Sequence, residues 1–293
     1  MKVLIDTDIY RYQMGSVMMK HPYAGHGDVP YDAKVPASSE FVCYLVDESI
    51  KEVLKATGAD EYICALSGVG NFRLDVADQQ KYKGNRNPNV TRPYHYDTVG
   101  SHIIANHPHV VVDGIEADDW LGITQRADPD NTVIASRDKD LQCVHGWHYR
   151  FACGEAQPPV PLHWITESDA IRFFFYQMLI GDNTDNIPGC GVRIWQKWGI
   201  AHEVTFPGGK VVKIPKMVLR RKGVGEKTAK KLLGEETNPQ KLYEIVSEEY
   251  KKVFGDDWKT VIIEQARLLY IGQTPENIFD WSWLNITEEN KND

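Results

Sequence analysis

Short apolar, β-branched runs alternate with longer stretches of helical period along the first two-thirds of the chain. The runs KVLID (2–6), EYICAL (61–66), HVVVDGI (109–115) and NTVIAS (131–136) predict buried strands. Between and after them, SEFVCYLVDESIKEVLKATG (39–58), EADDWLGITQRA (116–127) and TESDAIRFFFYQMLI (166–180) predict helices. Strands that alternate with helices predict an α/β fold with a mostly parallel sheet. In such sheets the functional residues gather just beyond the carboxyl ends of the strands.

At those ends the sequence is acidic. KVLI runs into Asp6 and Asp8, HVVVDGI into Glu116, Asp118 and Asp119, and NTVIAS into RDKDL with Asp138 and Asp140. The helix at 166–180 ends at GDNTDNIPG (181–189), which places Asp182 and Asp185 three apart. Carboxylates this close repel one another unless a proton or cation lies between them. Turn chemistry alone accounts for any one such loop. Four clusters at one topological position argue instead for a common site. With no histidine or cysteine placed among them, these carboxylates suit hard divalent cations, Mg²⁺ with Mn²⁺ as a substitute, rather than zinc. A single Mg²⁺ usually takes one or two protein carboxylates, so two ions are expected, about 3.5–4 Å apart as in phosphoryl-transfer sites.

Composition adds limits. The 293 residues suffice for one large domain or two modest ones, and 42% hydrophobic with 25% charged residues is ordinary for a globular protein. No apolar run is long enough for a membrane span, and MKVLIDTDIY lacks the apolar stretch of a secretory signal. Cys43, Cys64, Cys143, Cys153 and Cys190 are scattered and odd in number, which predicts reduced thiols and a cytoplasmic location, with neither a disulfide framework nor a structural zinc. The net charge of −8 hides an asymmetry: residues 206–231 hold nine Lys or Arg against one Glu. Such a patch can face a phosphate backbone whatever the average charge. The segment at about 78–108 is rich in Lys, Arg, His and Tyr; it reads either as a connecting loop with a helix or as a basic, aromatic-bearing lid. In KGVGEKTAKKLL (222–233) a G-x-G turn opens a helix that bears Lys227, Thr228, Lys230 and Lys231, a phosphate grip that does not read sequence.

Taken in order, LIDTD, EADD, RDKDL, GDNTDNIPG and GVGEKTAKKLL closely resemble the 5′-nuclease superfamily, which includes the 5′→3′ exonuclease domain of bacterial DNA polymerase I, the flap endonucleases and phage 5′→3′ exonucleases. Phe72, Arg73 and the YKGNR stretch (Tyr82–Arg86) resemble the family's basic arch, and QARLLYIGQTPENIFDWSWL resembles the end of the phage enzymes. The resemblance implies a PIN-like nuclease core over 1–180 with a helical arch at about 78–108. It also implies a C-terminal DNA-binding subdomain over 181–293 with a helix-three-turn-helix clamp that holds K⁺. On this basis Asp6, Glu116, Asp118, Asp119, Asp138, Asp140, Asp182 and Asp185 fall on metal positions, with Asp8 an extra acid. Lys83 falls on the arch lysine that reaches the scissile phosphate, with Arg86, Asp118 and Asp138 as its catalytic companions. Arg73, Tyr82, Lys83, Arg86, Gly223, Gly225, Lys227, Thr228, Lys230 and Lys231 fall on DNA-contacting positions.

The implied activity is Mg²⁺-dependent 5′→3′ exonuclease and flap endonuclease cleavage of duplex or 5′-flapped DNA, extending to RNA in RNA–DNA hybrids. The implied enzyme is a free-standing, monomeric one of phage type with no membrane partner. Two departures stand out. After EYICAL the family has another acid, where this chain has Ser67 and Gly68, so that Asp8 is a candidate substitute. Between IPG and the clamp glycines lies a basic insertion, 190–222, with a hairpin expected around Pro207-Gly208-Gly209. Its Lys210, Lys213, Lys216, Arg220, Arg221 and Lys222 are expected to touch duplex phosphates, and the clamp is open to displacement. Two rivals stand beside this reading. A haloacid-dehalogenase-type phosphatase would use D-x-D at 6–8 and the late G-D-x-x-D, but leaves EADD, RDKD and GVGEKTAKK unexplained. A structure-specific DNA-binding protein with a weakened site would account for the acid missing at 67–68.

Overall fold

The computed structural model describes residues 1–87, 89–154, 156–205, 207 and 211–284. In chain order the strands and helices are β1 (Lys2–Asp6), α1 (Asp8–Gln13), β2 (Met18–Lys20), β3 (Lys34–Pro36), α2 (Ser39–Thr57), β4 (Glu61–Ser67), α3 (Arg73–Val76), α4 (Tyr96–Asn106) and β5 (His109–Val112). There follow α5 (Ala117–Ala127), β6 (Thr132–Ala135), β7 (Gly146–Arg150), β8 (Val160–Ile165), α6 (Glu167–Ile180), β9 (Gly191–Thr205), β10 (Val211–Gly223), α7 (Glu226–Leu233), α8 (Pro239–Phe254) and α9 (Trp258–Leu269). The chain divides into two compact units. The first comprises Met1–Asp75, Asn87–Ile171 and Tyr270–Phe279; the second comprises Val76–Arg86, Arg172–Leu269 and Asp280–Asp293.

The first unit is built on a six-stranded sheet in the order β5-β4-β1-β6-β7-β8. All pairings are parallel except β7 with β8. The α/β architecture with a mostly parallel sheet therefore forms as its apolar pattern predicts. β1 is central, and Val3, Leu4 and Ile5 are fully buried, as a strand covered on both faces requires. α2 begins where Ser38 accepts from the Phe41 amide and ends at Gly58 in the left-handed region (φ 65°). Its buried stripe of Val42, Val46, Ile50 and Val53 joins β1, β4 and β6 side chains in one apolar core. The run HVVVDGI was expected to extend to 115, but the strand stops at Val112, and the Gly114 amide goes instead to the Val69 carbonyl in the loop after β4.

The expected helical arch is not what the 78–108 segment forms. From 77 to 95 the described residues carry turns and no helix. The helix that does form, α4, buries Tyr96, Val99, Gly100 and Ile103, and Val99 and Ile103 belong to the core of the first unit. Its apolar spacing thus reports packing, while the polar stretch before it has no apolar face to hold a helix.

In the second unit, β9 and β10 pair antiparallel from Gly191↔Gly223 out to Thr205↔Val211. The hairpin expected around Pro207 is present, but it takes in nearly the whole basic insertion. Pro215, which cannot donate to a ladder, sits where the register shifts. At the base, Gly191 and Gly223 approach so closely that a Cβ on Gly223 would strike the Cys190 carbonyl, and the Val224 amide reaches that same oxygen at 3.3 Å. The insertion therefore leaves the chain and returns to the same point, so IPG and the GVG turn are neighbours in space.

Candidate metal and nucleic-acid sites

The first unit gathers one group of acids. Asp6 ends β1 and is almost fully buried, and its Oδ2 accepts from Ser136 Oγ at 2.6 Å. The same hydroxyl oxygen accepts from the Asp138 amide at 2.9 Å, and Asp138 Oδ1 accepts from the Asp140 amide at 2.8 Å. Burial, then repulsion from Asp138 and Asp8, pushes Asp6 up to about 7 against the opposing Ser136 bond. Asp118, in the first turn of α5, is held well above the usual carboxylate range by desolvation and then by Asp6, Asp138, Glu116 and Asp119. Acids from β1, α5 and the β6 end are thus close enough to obstruct one another's ionisation.

Asp8 enters this group at a telling place. Its Oδ2 accepts from the Ser67 amide at 2.9 Å, so it stands at the end of β4 where an acid was missing from the sequence. A side chain on Gly68 could not supply that acid, since its Cβ would collide with the Asp113 carboxylate and the Val112 carbonyl. Asp8 Oδ1 is buried with no hydrogen-bond partner and lies 3.5 Å from Arg11. Ser67 Oγ accepts from the Ala117 amide at 2.9 Å and so fixes the start of α5.

Two expected ligands are engaged elsewhere. Asp119 is fully buried and takes both guanidinium nitrogens of Arg73, at 2.5 and 2.9 Å, together with the Gly272 amide at 2.9 Å. Arg73, expected to touch DNA, is 1% exposed and also lies 3.7 Å from Glu116, so it balances acids inside the unit. Asp140 pairs with Lys139 at 2.9 Å.

The second unit holds the other acids. GDNTDNIPG closes on itself: Asp182 and Ile187 exchange backbone hydrogen bonds at 2.8 and 2.7 Å, and Gly181 and Gly189, both at positive φ, leave no room for each other's Cβ. Asp182 is buried and accepts from the Thr184 amide at 2.6 Å. Asp185 faces cations of its own chain. It accepts from Tyr82 Oη at 2.8 Å and Arg86 at 2.9 Å, and Lys83 Nζ lies 3.7 Å away. Lys83 is in the left-handed region (φ 55°), fixed by its amide's 2.8 Å bond to the Asp185 carbonyl. Tyr82, expected at the DNA surface, is 3% exposed.

Of the basic insertion, Lys213, Lys216, Arg220 and Lys222 are exposed, with Lys213 3.5 Å from Glu203 and Arg220 stacked 3.3 Å over Trp198. Lys210 lies outside the described residues. Arg221 departs from expectation: its guanidinium donates to the carbonyls of Pro188, Leu179, Val224 and Cys190 at 2.5, 2.7, 2.9 and 3.2 Å, which ties the hairpin base to the GVG turn. Lys227, Thr228, Lys230 and Lys231 are exposed on α7, whose N-cap Gly225 has no capping side chain. Ser136 aligns Asp6 and Asp138 yet passed unnoticed in the sequence, because an uncharged hydroxyl beside a strand end carries no periodic or charge signal.

The donors fit hard divalent cations: the acids around Asp6 and Asp118 offer only oxygen, and a cation would offset both the burial and the repulsion that raise their pKa values. No family model and no curated protein matches the chain. Among solved structures it is similar to a zinc-bound 5′-exonuclease of bacteriophage T5, at 14% identity and a TM-score of 0.49 over 92% of this chain and 100% of that one. It is likewise similar to the T5 D15 protein crystallised with metal ions, at 14% identity and 0.46 over 90% and 91% of the two chains. A third is human GEN1 in complex with Holliday junction DNA, at 13% identity and 0.43 over 91% of this chain and 56% of that one.

Proposed function

We propose that the chain is a Mg²⁺-dependent 5′→3′ exonuclease and flap endonuclease that hydrolyses phosphodiesters near DNA 5′ ends and leaves 5′-phosphates. The observation that carries this reading is the convergence of Asp6, Asp8, Glu116, Asp118 and Asp138 at the carboxyl edge of the parallel sheet, where burial and then their mutual repulsion disfavour ionisation. Divalent cations bound there would act as Lewis acids on the scissile phosphate. Asp6, Asp118 and Asp138 would hold them, Asp8 and Glu116 would complete the shell, and Ser136 would keep Asp6 and Asp138 aligned. Binding would require Asp6 and Asp118 to release the protons that their surroundings favour.

In the second unit, Lys83 and Arg86, both paired with Asp185, are cations that would turn to a phosphate. Lys213, Lys216, Arg220 and Lys222 on the hairpin, with the uncapped start of α7 and its Lys227, Thr228, Lys230 and Lys231, would grip the backbone without reading bases. On this reading the GVG turn and α7 form the helix-three-turn-helix clamp, with K⁺ on its backbone oxygens. The substrates would be 5′-flapped or duplex DNA and the RNA strand of RNA–DNA hybrids.

The test is a 5′-labelled flap, a blunt duplex and a hybrid incubated with and without Mg²⁺. Labelled mono- or oligonucleotides should appear only with Mg²⁺ or Mn²⁺. Binding without cleavage would support the DNA-binding alternative, and inorganic phosphate released from a monoester would support the phosphatase.

A further inference from the structure

The geometry points to a second, chemically different cation site on the first unit: we propose that Asp47, His102 and His107 bind one transition-metal ion of the zinc class. Asp47 comes from α2, His102 from α4, and His107 caps the carboxyl end of α4. Their ligand atoms all lie within 4.8 Å of one another. Asp47 Oδ1 stands 2.6 Å from His102 Nε2 and 3.0 Å from His107 Nε2, so two imidazoles turn the same nitrogen toward one carboxylate oxygen.

Each ring's other nitrogen is held from behind. Tyr62 Oη meets His107 Nδ1 at 2.9 Å and can accept its N–H, while the Asn106 side chain, 3.1 Å from His102 Nδ1, would do the same for His102 with its amide oxygen turned toward the ring. A histidine that ligates through Nε2 needs such a partner at Nδ1 to fix its tautomer and ring plane. Tetrahedral bonds of about 2.0–2.1 Å place neighbouring ligand atoms about 3.4 Å apart. The carboxylate oxygen and the two nitrogens need to separate by less than about 1 Å to admit an ion at that spacing. The carbonyl end of α4 adds a favourable field. The side chains of His102 and His107 are 16% and 10% exposed and that of Asp47 is 37% exposed, which leaves water access for the remaining coordination position.

The site is separate from the acids described above. Tyr62 is the second residue of β4 and His107 precedes β5, which puts the site at the amino edge of the parallel sheet, opposite the edge where Asp6 and Asp138 gather. Its two nitrogens and one oxygen favour zinc, cobalt, nickel or copper over Mg²⁺. The ion would pin α2 to the end of α4, and the proposal stands whether or not the chain is a nuclease.

The test is a Co²⁺ titration of chelator-treated protein in excess Mg²⁺, which fills oxygen-only sites and competes poorly for imidazole. One equivalent of Co²⁺ should give the visible absorption of a four- or five-coordinate ion, and Zn²⁺ should displace it. Zn²⁺ should also raise the melting temperature. His102→Gln or His107→Gln should abolish the band, Tyr62→Phe should weaken affinity about 10-fold or more, and Asp118→Asn should leave the band intact. No band in the wild-type protein, or a band that survives both histidine variants or disappears in Asp118→Asn, would overturn the assignment. Because the wild-type titration is itself decisive, a variant that fails to fold does not remove the test.

Discussion

The acids of the first unit and those of the second meet the same electrostatic problem in opposite ways. Asp6 and Asp118 are desolvated and their charged neighbours are mostly other acids, and the cost appears as carboxyls that hold their protons above the ordinary range. Around Asp185 the neighbours are Lys83, Arg86 and the Tyr82 hydroxyl, so the charge is met within the chain. A carboxylate already paired has less to gain from an external ion than one pressed against its own kind. On the proposed reading, the difference separates a receptor for cations from a clasp that poises two cations. Asp119 and Arg73 show the clasp in its fully buried form within the first unit.

The largest expected effect breaks the receptor. Asp118→Asn or Asp138→Asn should lower Mg²⁺-dependent cleavage by about 10²–10³-fold or more, the scale on which preorganised charge acts at a reacting phosphate. DNA affinity should hold or rise, because one negative charge near phosphate is gone. Asp185→Asn should cost less, and the Mg²⁺ concentration for half-maximal rate measures why. If Asp185 is a ligand, that concentration rises; if it is a clasp, it stays and only the rate changes. Near-wild-type cleavage by both Asp118→Asn and Asp138→Asn would erase the contrast between the units.

A smaller effect should be visible without substrate. The Asp6 carboxyl is raised to about 7 in the folded chain from an ordinary value of 3.8, so the folded state holds a proton that the unfolded state releases. The stability this gives is fully present below the ordinary value and is lost as pH rises through 7. Between those limits the metal-free protein should lose on the order of 4 kcal/mol, with Asp118 shifting it in the same direction. Thermal melts in chelator across this range should fall with pH, Mg²⁺ should oppose the fall, and Asp6→Asn should flatten it. A chelated wild-type protein whose melting temperature climbs from pH 5 to 7 would mean that these acids are not in conflict.

The sheet was legible because its central strands are short and apolar on both faces, and the acids of the first unit were legible because each cluster follows such a strand. Roles after that point depend on partners far along the chain. Arg73 and Asp119 are separated by 46 residues, and nothing in either local pattern says that they neutralise each other. Arg221 looks, in sequence, like its neighbours Arg220 and Lys222; only the return of the hairpin to its base delivers it to four carbonyls. The β7–β8 pair was missed for a related reason: GWHYR and VPLHWI mix aromatic and polar residues, and only pairing beside β6, with β8 at the sheet's edge, makes strands of them. Asp8 lies in the opposite case, since the gap at Ser67 and Gly68 was visible and so was Asp8, whose carboxylate meets the Ser67 amide.

The smallest expected effect sharpens the comparison on the second unit alone, where exposed and buried cations share one hairpin. Lys216, Arg220 and Lys222 project from β10 into solvent, whereas Arg221 is spent on the carbonyls at its base. Each phosphate contact contributes about −0.9 to the slope of log K against log salt. Replacing Lys216, Arg220 and Lys222 together should therefore flatten that slope by up to about 2.7 units. The single-turnover rate at saturating DNA should barely move, because these side chains grip backbone and not the reacting bond. Lys83→Ala should do the reverse, lowering the saturated rate more than affinity if its charge acts chiefly in the transition state. Fluorescence anisotropy over a salt series, paired with single-turnover cleavage, measures both. An unchanged slope in the triple variant would mean that the exposed hairpin does not meet phosphate. A lost saturated rate in that variant, with Lys83→Ala losing only affinity, would exchange the roles assigned to hairpin and lysine.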